Sequence, residues 1–153
     1  MGQISEIKIF SLNVIPEEIE NYEPDKSVLC HKGKNTGLVV GGAFLHAQYS
    51  ISDQYVLFVE GGAMFEETLY IHLIDENFEI LDWIKFSWIY SGATMTRLSI
   101  ISRDVFEFIV FDCRWRLKVH ETHRFRVPVP WGPDGAWRKA SWKTYFSLSK
   151  LRT

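Results

Sequence analysis

The sequence predicts an all-β, mainly antiparallel domain, a β-sandwich or barrel-like sheet of about 8–10 strands. Three observations carry that expectation. Apolar and polar residues alternate with period two along much of the 153-residue chain, the pattern that sends successive side chains to opposite faces of a strand. The alternating stretches are short, and Gly, Ser, Asp and Asn punctuate them at close intervals. Long helical segments do not interleave with them, so the rhythm of a parallel sheet is missing.

Taken in order, Phe10, Leu12 and Val14 share one face of a first strand, with Ser11 and Asn13 on the other. Pro16-Glu17-Glu18-Ile19-Glu20 predicts a short helical turn near residues 16–22. Pro suits the first helical position, and carboxylates suit the positive end of the helix dipole. Residues 33–37 predict a turn before a strand at 38–40, and Gly41-Gly42 a bulge or bend before a strand at 44–51. Residues 55–59 form a continuous apolar strand, and Gly61-Gly62-Ala63 a loop after it. Residues 69–74 and 78–86 predict the arms of a hairpin around Asp75-Glu76-Asn77. Residues 98–101, 105–111 and 115–127 complete the series. A weak echo between residues 50–59 and 99–108 suggests two similar meanders stacked in one sandwich.

The C-terminal stretch reads differently. Pro128, Pro130 and the turn Pro133-Asp134-Gly135 predict an irregular Pro-, Gly- and Trp-rich loop over residues 128–137, followed by a basic C-terminal end. Within residues 136–149, Trp142, Thr144, Phe146 and Leu148 alternate as in a strand, while Trp137, Ser141, Tyr145 and Leu148 fit a helical face. Strand is the slightly better fit. Residues 1–153 are expected to form a single β domain, since 17.9 kDa is cramped for two.

Composition narrows the class. Apolar residues make up 46% and charged residues 24%, the mixture of a globular chain rather than a disordered one. No apolar run approaches the roughly 18 residues of a membrane-spanning helix. The N-terminus lacks the basic start and apolar stretch of an export signal. A cytoplasmic location is therefore expected, with Cys30 and Cys113 as reduced thiols acting as small buried hydrophobes.

Charge is sorted along the chain. Residues 1–113 hold seven Lys and Arg against seventeen Asp and Glu, a balance of −10, and residues 114–153 hold ten against two, a balance of +8. Glu17, Glu18, Glu20, Glu23 and Asp25 form an acidic cluster around Tyr22. Opposite in sign, Arg114, Arg116, Lys118, His120, Arg124 and Arg126 share one parity, and Trp115, Leu117, Val119, Phe125 and Val127 share the other. In an extended strand the first set faces water and the second the core. Glu121 and His123 break the pattern, as a hairpin or twist would. The plain interpretation is a wet sheet face balanced by acidic neighbours. The functional one is an anion-binding surface, joined by Trp131, Trp137 and Arg138 from the adjoining loop.

Chemistry-bearing motifs are scarce. The five histidines lack the spacing of a metal site, neither cysteine has the context of a nucleophile, and no nucleophile elbow, phosphate-binding loop or dinucleotide fingerprint is present. No catalytic residue, metal or cofactor is assigned.

The expected function is a non-catalytic protein-binding domain. In general character, rather than by a motif, the chain resembles the immunity proteins that bacteria make against their own toxins. That resemblance implies a cognate toxin as partner, possibly a nuclease whose basic cleft would meet Glu17, Glu18, Glu20, Tyr22, Glu23 and Asp25. Two alternatives stand beside it. One is an anionic-ligand or single-stranded nucleic-acid module using Arg114, Arg116, Lys118, Arg124, Arg126, Trp131, Trp137 and Arg138, although a pI near 6.2 opposes a general nucleic-acid binder. The other is a sugar-binding sandwich using exposed aromatic rings.

Overall fold

The computed structural model describes residues 2–16, 26–63, 66–87, 94–131 and 135–152. Strand makes up 72% of it and helix 1%, and the strand pairs are antiparallel. Among the described residues, thirteen strands build three sheets. The largest has six, in the order β1 (Ser5–Glu6), β5 (Phe44–Ile51), β6 (Gln54–Ala63), β7 (Glu66–Asp75), β8 (Ile80–Ser87) and β12 (Ala136–Arg138). A four-stranded sheet runs β13 (Lys143–Lys150), β11 (Cys113–Phe125), β10 (Val105–Val110) and β9 (Thr96–Ser102). A three-stranded sheet contains β2 (Phe10–Val14), β3 (Lys26–His31) and β4 (Lys34–Gly41). Among the described residues no helix is long and apolar enough to cross a membrane.

The six-stranded sheet is the middle layer, because it carries a core on each face. Val56 and Phe58 of β6 pack with Phe106, Phe108, Trp115 and Leu117 of the four-stranded sheet. The intervening Leu57 and Val59 pack the other way, with Phe10 and Leu29 of the three-stranded sheet. All four β6 side chains are fully buried. This explains why residues 55–59 are apolar without alternation: a strand covered on both faces has no wet side. Edge-to-face rings fill the larger core, with Phe58 5.2 Å from Phe106 and Phe86 5.0 Å from Trp115.

Two polar ties hold the layers together. Gln48 on β5 accepts hydrogen bonds at Oε1 from the amides of Ile9 and Phe10, at 2.9 and 2.8 Å, and donates from Nε2 to the Phe10 carbonyl. On the opposite side, Asp82 of β8 reaches the edge of β13. Its Oδ2 accepts from the Tyr145 and Phe146 amides, at 2.8 and 3.1 Å, and from Thr144 Oγ1 at 2.9 Å. Arg138 on β12 donates from Nη2 to Thr144 Oγ1 and to the Phe146 carbonyl, both at 2.9 Å. The direct Arg138–Asp82 separation is 3.8 Å, so the Thr144 hydroxyl mediates most of their contact. Burial pulls the Arg138 guanidinium below its ordinary range, against the opposing pull of Asp82.

Several elements differ from the expected ones. Residues 17–25, which hold most of the expected helical turn, lie outside the described residues. The turn expected over residues 33–37 is narrower: β3 and β4 are joined by Lys32 and Gly33 alone, both at positive φ, as in a two-residue hairpin. The loop expected at residues 61–63 is instead the end of β6, paired with Thr68, Glu67 and Glu66. Gly61 serves close approach, since a Cβ there would lie 2.8 Å from Thr68 Oγ1 and 3.1 Å from Gly42 Cα. Residues 143–150 are strand, in keeping with the alternation of Thr144, Phe146 and Leu148.

Candidate functional site

The distinctive local geometry lies on β11. From Arg114 to Val119 period two holds: Arg114, Arg116 and Lys118 face water, and Trp115, Leu117 and Val119 are buried. The outer face is balanced by its neighbours. Glu107 on β10 takes Arg114 Nε at 3.4 Å through Oε1 and Arg116 Nε at 3.1 Å through Oε2. Lys118 Nζ lies 3.9 Å from Asp104. Three of the expected anion-binding cations are thus cross-strand ion pairs, which are worth little in stability but compete with a ligand.

Beyond Val119 the ladder breaks. Val119 pairs with Phe146 and Arg124 with Thr144, so residues 120–123 stand opposite Tyr145 alone. An odd number of extra residues reverses the side-chain parity. The reversal overturns one expectation: Phe125 and Val127, expected in the core, are exposed at 75% and 58%. His120, expected outside, is buried, although its partner Ser147 is exposed opposite Lys118. His120 Nε2 is 2.7 Å from Ser147 Oγ on β13. The break itself was legible in the sequence at Glu121 and His123.

The bulge creates a pocket of about 360 Å³ against the β9–β10 turn, with Arg103, Asp104, Lys118, His120, Glu121 and Arg124 in its wall. Glu121 accepts hydrogen bonds from the Gly2 amide at 2.7 Å and Ser52 Oγ at 2.9 Å, and these bonds lower its pKa. Burial lowers the pKa of His120, Arg124 and Lys118 lower it further, and Asp104 opposes them. Arg103 was not among the expected site residues, because it lies on a different hairpin from the basic run.

A second feature is aromatic. The Phe125 and Trp142 rings lie 5.3 Å apart at 31° on the solvent side, and Trp142 is 58% exposed. Trp131, 65% exposed, forms an isolated antiparallel bridge to the exposed Trp137. Both rings are exposed, but Trp137 lies on β12, paired with Lys85, rather than in the loop expected over residues 128–137. Arg138, expected beside them as an anion ligand, is buried, because on β12 it shares a face with Ala136 and turns inward to Thr144.

The remaining expected residues separate from these. Glu17, Glu18, Glu20, Tyr22, Glu23 and Asp25 lie outside the described residues. Arg126 is half-buried, and its amide donates to the Trp142 carbonyl at 2.9 Å. His46 pairs with Glu60 at 3.2 Å, and His72 is buried between the six- and three-stranded sheets, where Gly41 O lies 3.3 Å from its Nε2. Cys30 and Cys113 are free thiols, Cys30 buried. Among the described residues no three His, Cys, Asp or Glu side chains gather as a metal-ligand set.

No protein-family model, curated protein or solved structure matches the chain.

Proposed function

We propose that the chain is a non-catalytic protein-binding domain of the immunity type, and that its partner is a cognate bacterial toxin. The observation that supports protein binding is the exposure of Phe125, Trp131, Trp137 and Trp142 on one C-terminal stretch. Large aromatic side chains are the side chains on which binding energy concentrates, since each removes a large apolar area from water with little loss of rotamer freedom. Four of them in solvent near Arg124, Lys139 and Lys143 match the aromatic and cationic composition of interface hot spots. The toxin as partner rests on the sorted charge. Glu17, Glu18, Glu20, Glu23 and Asp25 would steer a basic protein during encounter, while the aromatic rings anchor it.

The test is capture of the partner, by co-expression with the product of the neighbouring gene and by pull-down from the native cell. With the partner in hand, Trp131→Ala and Trp142→Ala should each weaken binding by about thirtyfold or more, chiefly through faster dissociation. Neutralising Glu17, Glu18 and Glu20 should instead slow association, with an effect that shrinks as salt rises. Unchanged affinity in both tryptophan variants sinks the aromatic anchor. A captured partner without toxicity, or a toxin whose activity survives binding, sinks the immunity role.

A further inference from the structure

The pocket at the β11 bulge has a chemistry that the aromatic surface does not use. We propose that it is a binding site for a small phosphate-type oxyanion, free or as the terminal group of a phosphate ester, held by Arg103, Lys118 and Arg124.

Charge comes first. The wall carries those three cations and two carboxylates, Asp104 and Glu121, in a chain whose net charge is −2. Both carboxylates are engaged. Glu121 is held by the Gly2 amide and Ser52, and Asp104 accepts from Ser102 Oγ at 3.3 Å while facing Lys118. Among the described residues neither Arg103 nor Arg124 has a carboxylate within salt-bridge distance. That contrasts with Arg114 and Arg116, which share Glu107. Two guanidinium forks without a salt-bridge contact, Arg103 acting on Glu121 only at longer range, lie with an ammonium at a recess rather than a flat face, and they suit the several acceptor oxygens of a tetrahedral anion.

The second support is His120. Its ring lies buried at the bulge, bonded to Ser147, with Arg124, Lys118 and Asp104 as the charged groups that act on it. Burial disfavours its protonation most, and Arg124 and Lys118 act in the same direction against Asp104. An anion seated beside the two cations would oppose them. The bulge supplies the recess. Bulges recur beside functional sites because they re-aim side chains that a regular ladder would hold flat.

The experiment is an NMR titration of the full chain with inorganic phosphate and with a nucleoside monophosphate, at constant ionic strength set by chloride. Saturable shifts at His120 and a rise in its pKa on binding are expected. Arg103→Gln and Arg124→Gln should each weaken binding about tenfold, while Lys34→Gln, on the distant β4, leaves it unchanged. Tighter binding of the monophosphate than of phosphate identifies the ester as the ligand, and equal binding identifies the free anion. Either result supports the site. The proposal is overturned if phosphate leaves the His120 resonances unmoved up to tens of millimolar. It is equally overturned if Arg116→Gln weakens binding as much as Arg103→Gln, since the anion would then lie on the outer face of β11. Folding of each variant is checked by the unchanged indole signal of the buried Trp115.

Discussion

Replacing Asp82 with Ala tests how the four-stranded sheet is fastened to the middle layer. The carboxylate is 2% exposed and carries the Tyr145 and Phe146 amides, the Thr144 hydroxyl and, through Oδ1, the Trp83 amide at 2.8 Å. Its removal leaves amide groups on the β13 edge without an acceptor, at about 1–3 kcal/mol for each one that stays dry. It also leaves the Arg138 cation buried without its counter-charge, which costs about 3–5 kcal/mol when a buried pair is broken. These costs overlap, because Arg138 keeps its bonds to Thr144 Oγ1 and the Phe146 carbonyl. A net loss of about 5 kcal/mol is expected, a large part of the roughly 5–15 kcal/mol available to a domain. Urea unfolding measures it, read as a fall in midpoint at constant slope. Asp82→Asn keeps two acceptor sites and should lose about half as much, which preserves the comparison if the Ala variant does not fold. The double variant Asp82→Leu/Arg138→Met removes both charges and should be more stable than Asp82→Ala alone. A loss below about 1 kcal/mol in the Ala variant refutes the reasoning, since water would then be replacing every bond that Asp82 makes.

Three further outcomes follow from single side chains. Burial lowers the pKa of His72 from 6.5 to about 4, so between those values the unfolded chain holds the proton and the folded one does not. Its contribution is therefore full above pH 6.5 and is lost as pH falls to about 4, by up to about 3 kcal/mol; the pH dependence of the urea midpoint should flatten over that window in His72→Gln. Gly41→Ala would place a Cβ 2.5 Å from the Tyr70 ring, and a loss of about 1–3 kcal/mol is expected from the same unfolding assay. Asp112 lies at φ 57 in the two-residue turn between β10 and β11, so Asp112→Gly should raise stability by about 0.5 kcal/mol, strain relief outweighing added chain entropy.

The strands were legible where one face is wet. Phe10 to Val14 and the first half of β11 alternate, and each is a strand with that side-chain parity. Residues 44–51 are a strand as expected, but a bulge between Leu45 and Ala47 sends Leu45 to one core and Tyr49 and Ile51 to the other. Residues 55–59 were legible for the opposite reason, an unbroken apolar run marking burial on both faces. β3 escaped notice because Ser27, Val28, Leu29 and Cys30 neither alternate nor run apolar: Ser27 is buried by a hydrogen bond to the Gly42 carbonyl, a long-range tie with no local signature. The Asp82–Thr144–Arg138 tie was hidden by residue type, since charged side chains are ordinarily exposed. Parity carried the missing signal. Asp82 shares a strand face with Ile84 and Phe86, and Arg138 shares one with Ala136, all of them buried. Arg103 could not be placed from sequence, because its nearness to Lys118 and Arg124 depends on the pairing of two separate strands.

One irregularity in β11 organises both candidate surfaces. In a regular ladder, Phe125 and Val127 would continue the inward row of Trp115, Leu117 and Val119, and His120 and Arg124 would continue the outward row of Arg116 and Lys118. The four residues set against Tyr145 exchange those roles. Phe125 moves into solvent to meet Trp142, and His120 packs beside Ser147, the exposed partner of Lys118. Glu121, aimed across the gap, fastens Gly2 and Ser52 and closes one wall of the recess that Arg103 and Arg124 share. The cost is broken ladder bonds on a long central strand and large apolar rings left wet, and stability alone gives no reason to accept either. The bulge and the wet rings it produces therefore weigh toward binding at this end of β11, with the aromatic rings for a protein surface and the recess for an anion.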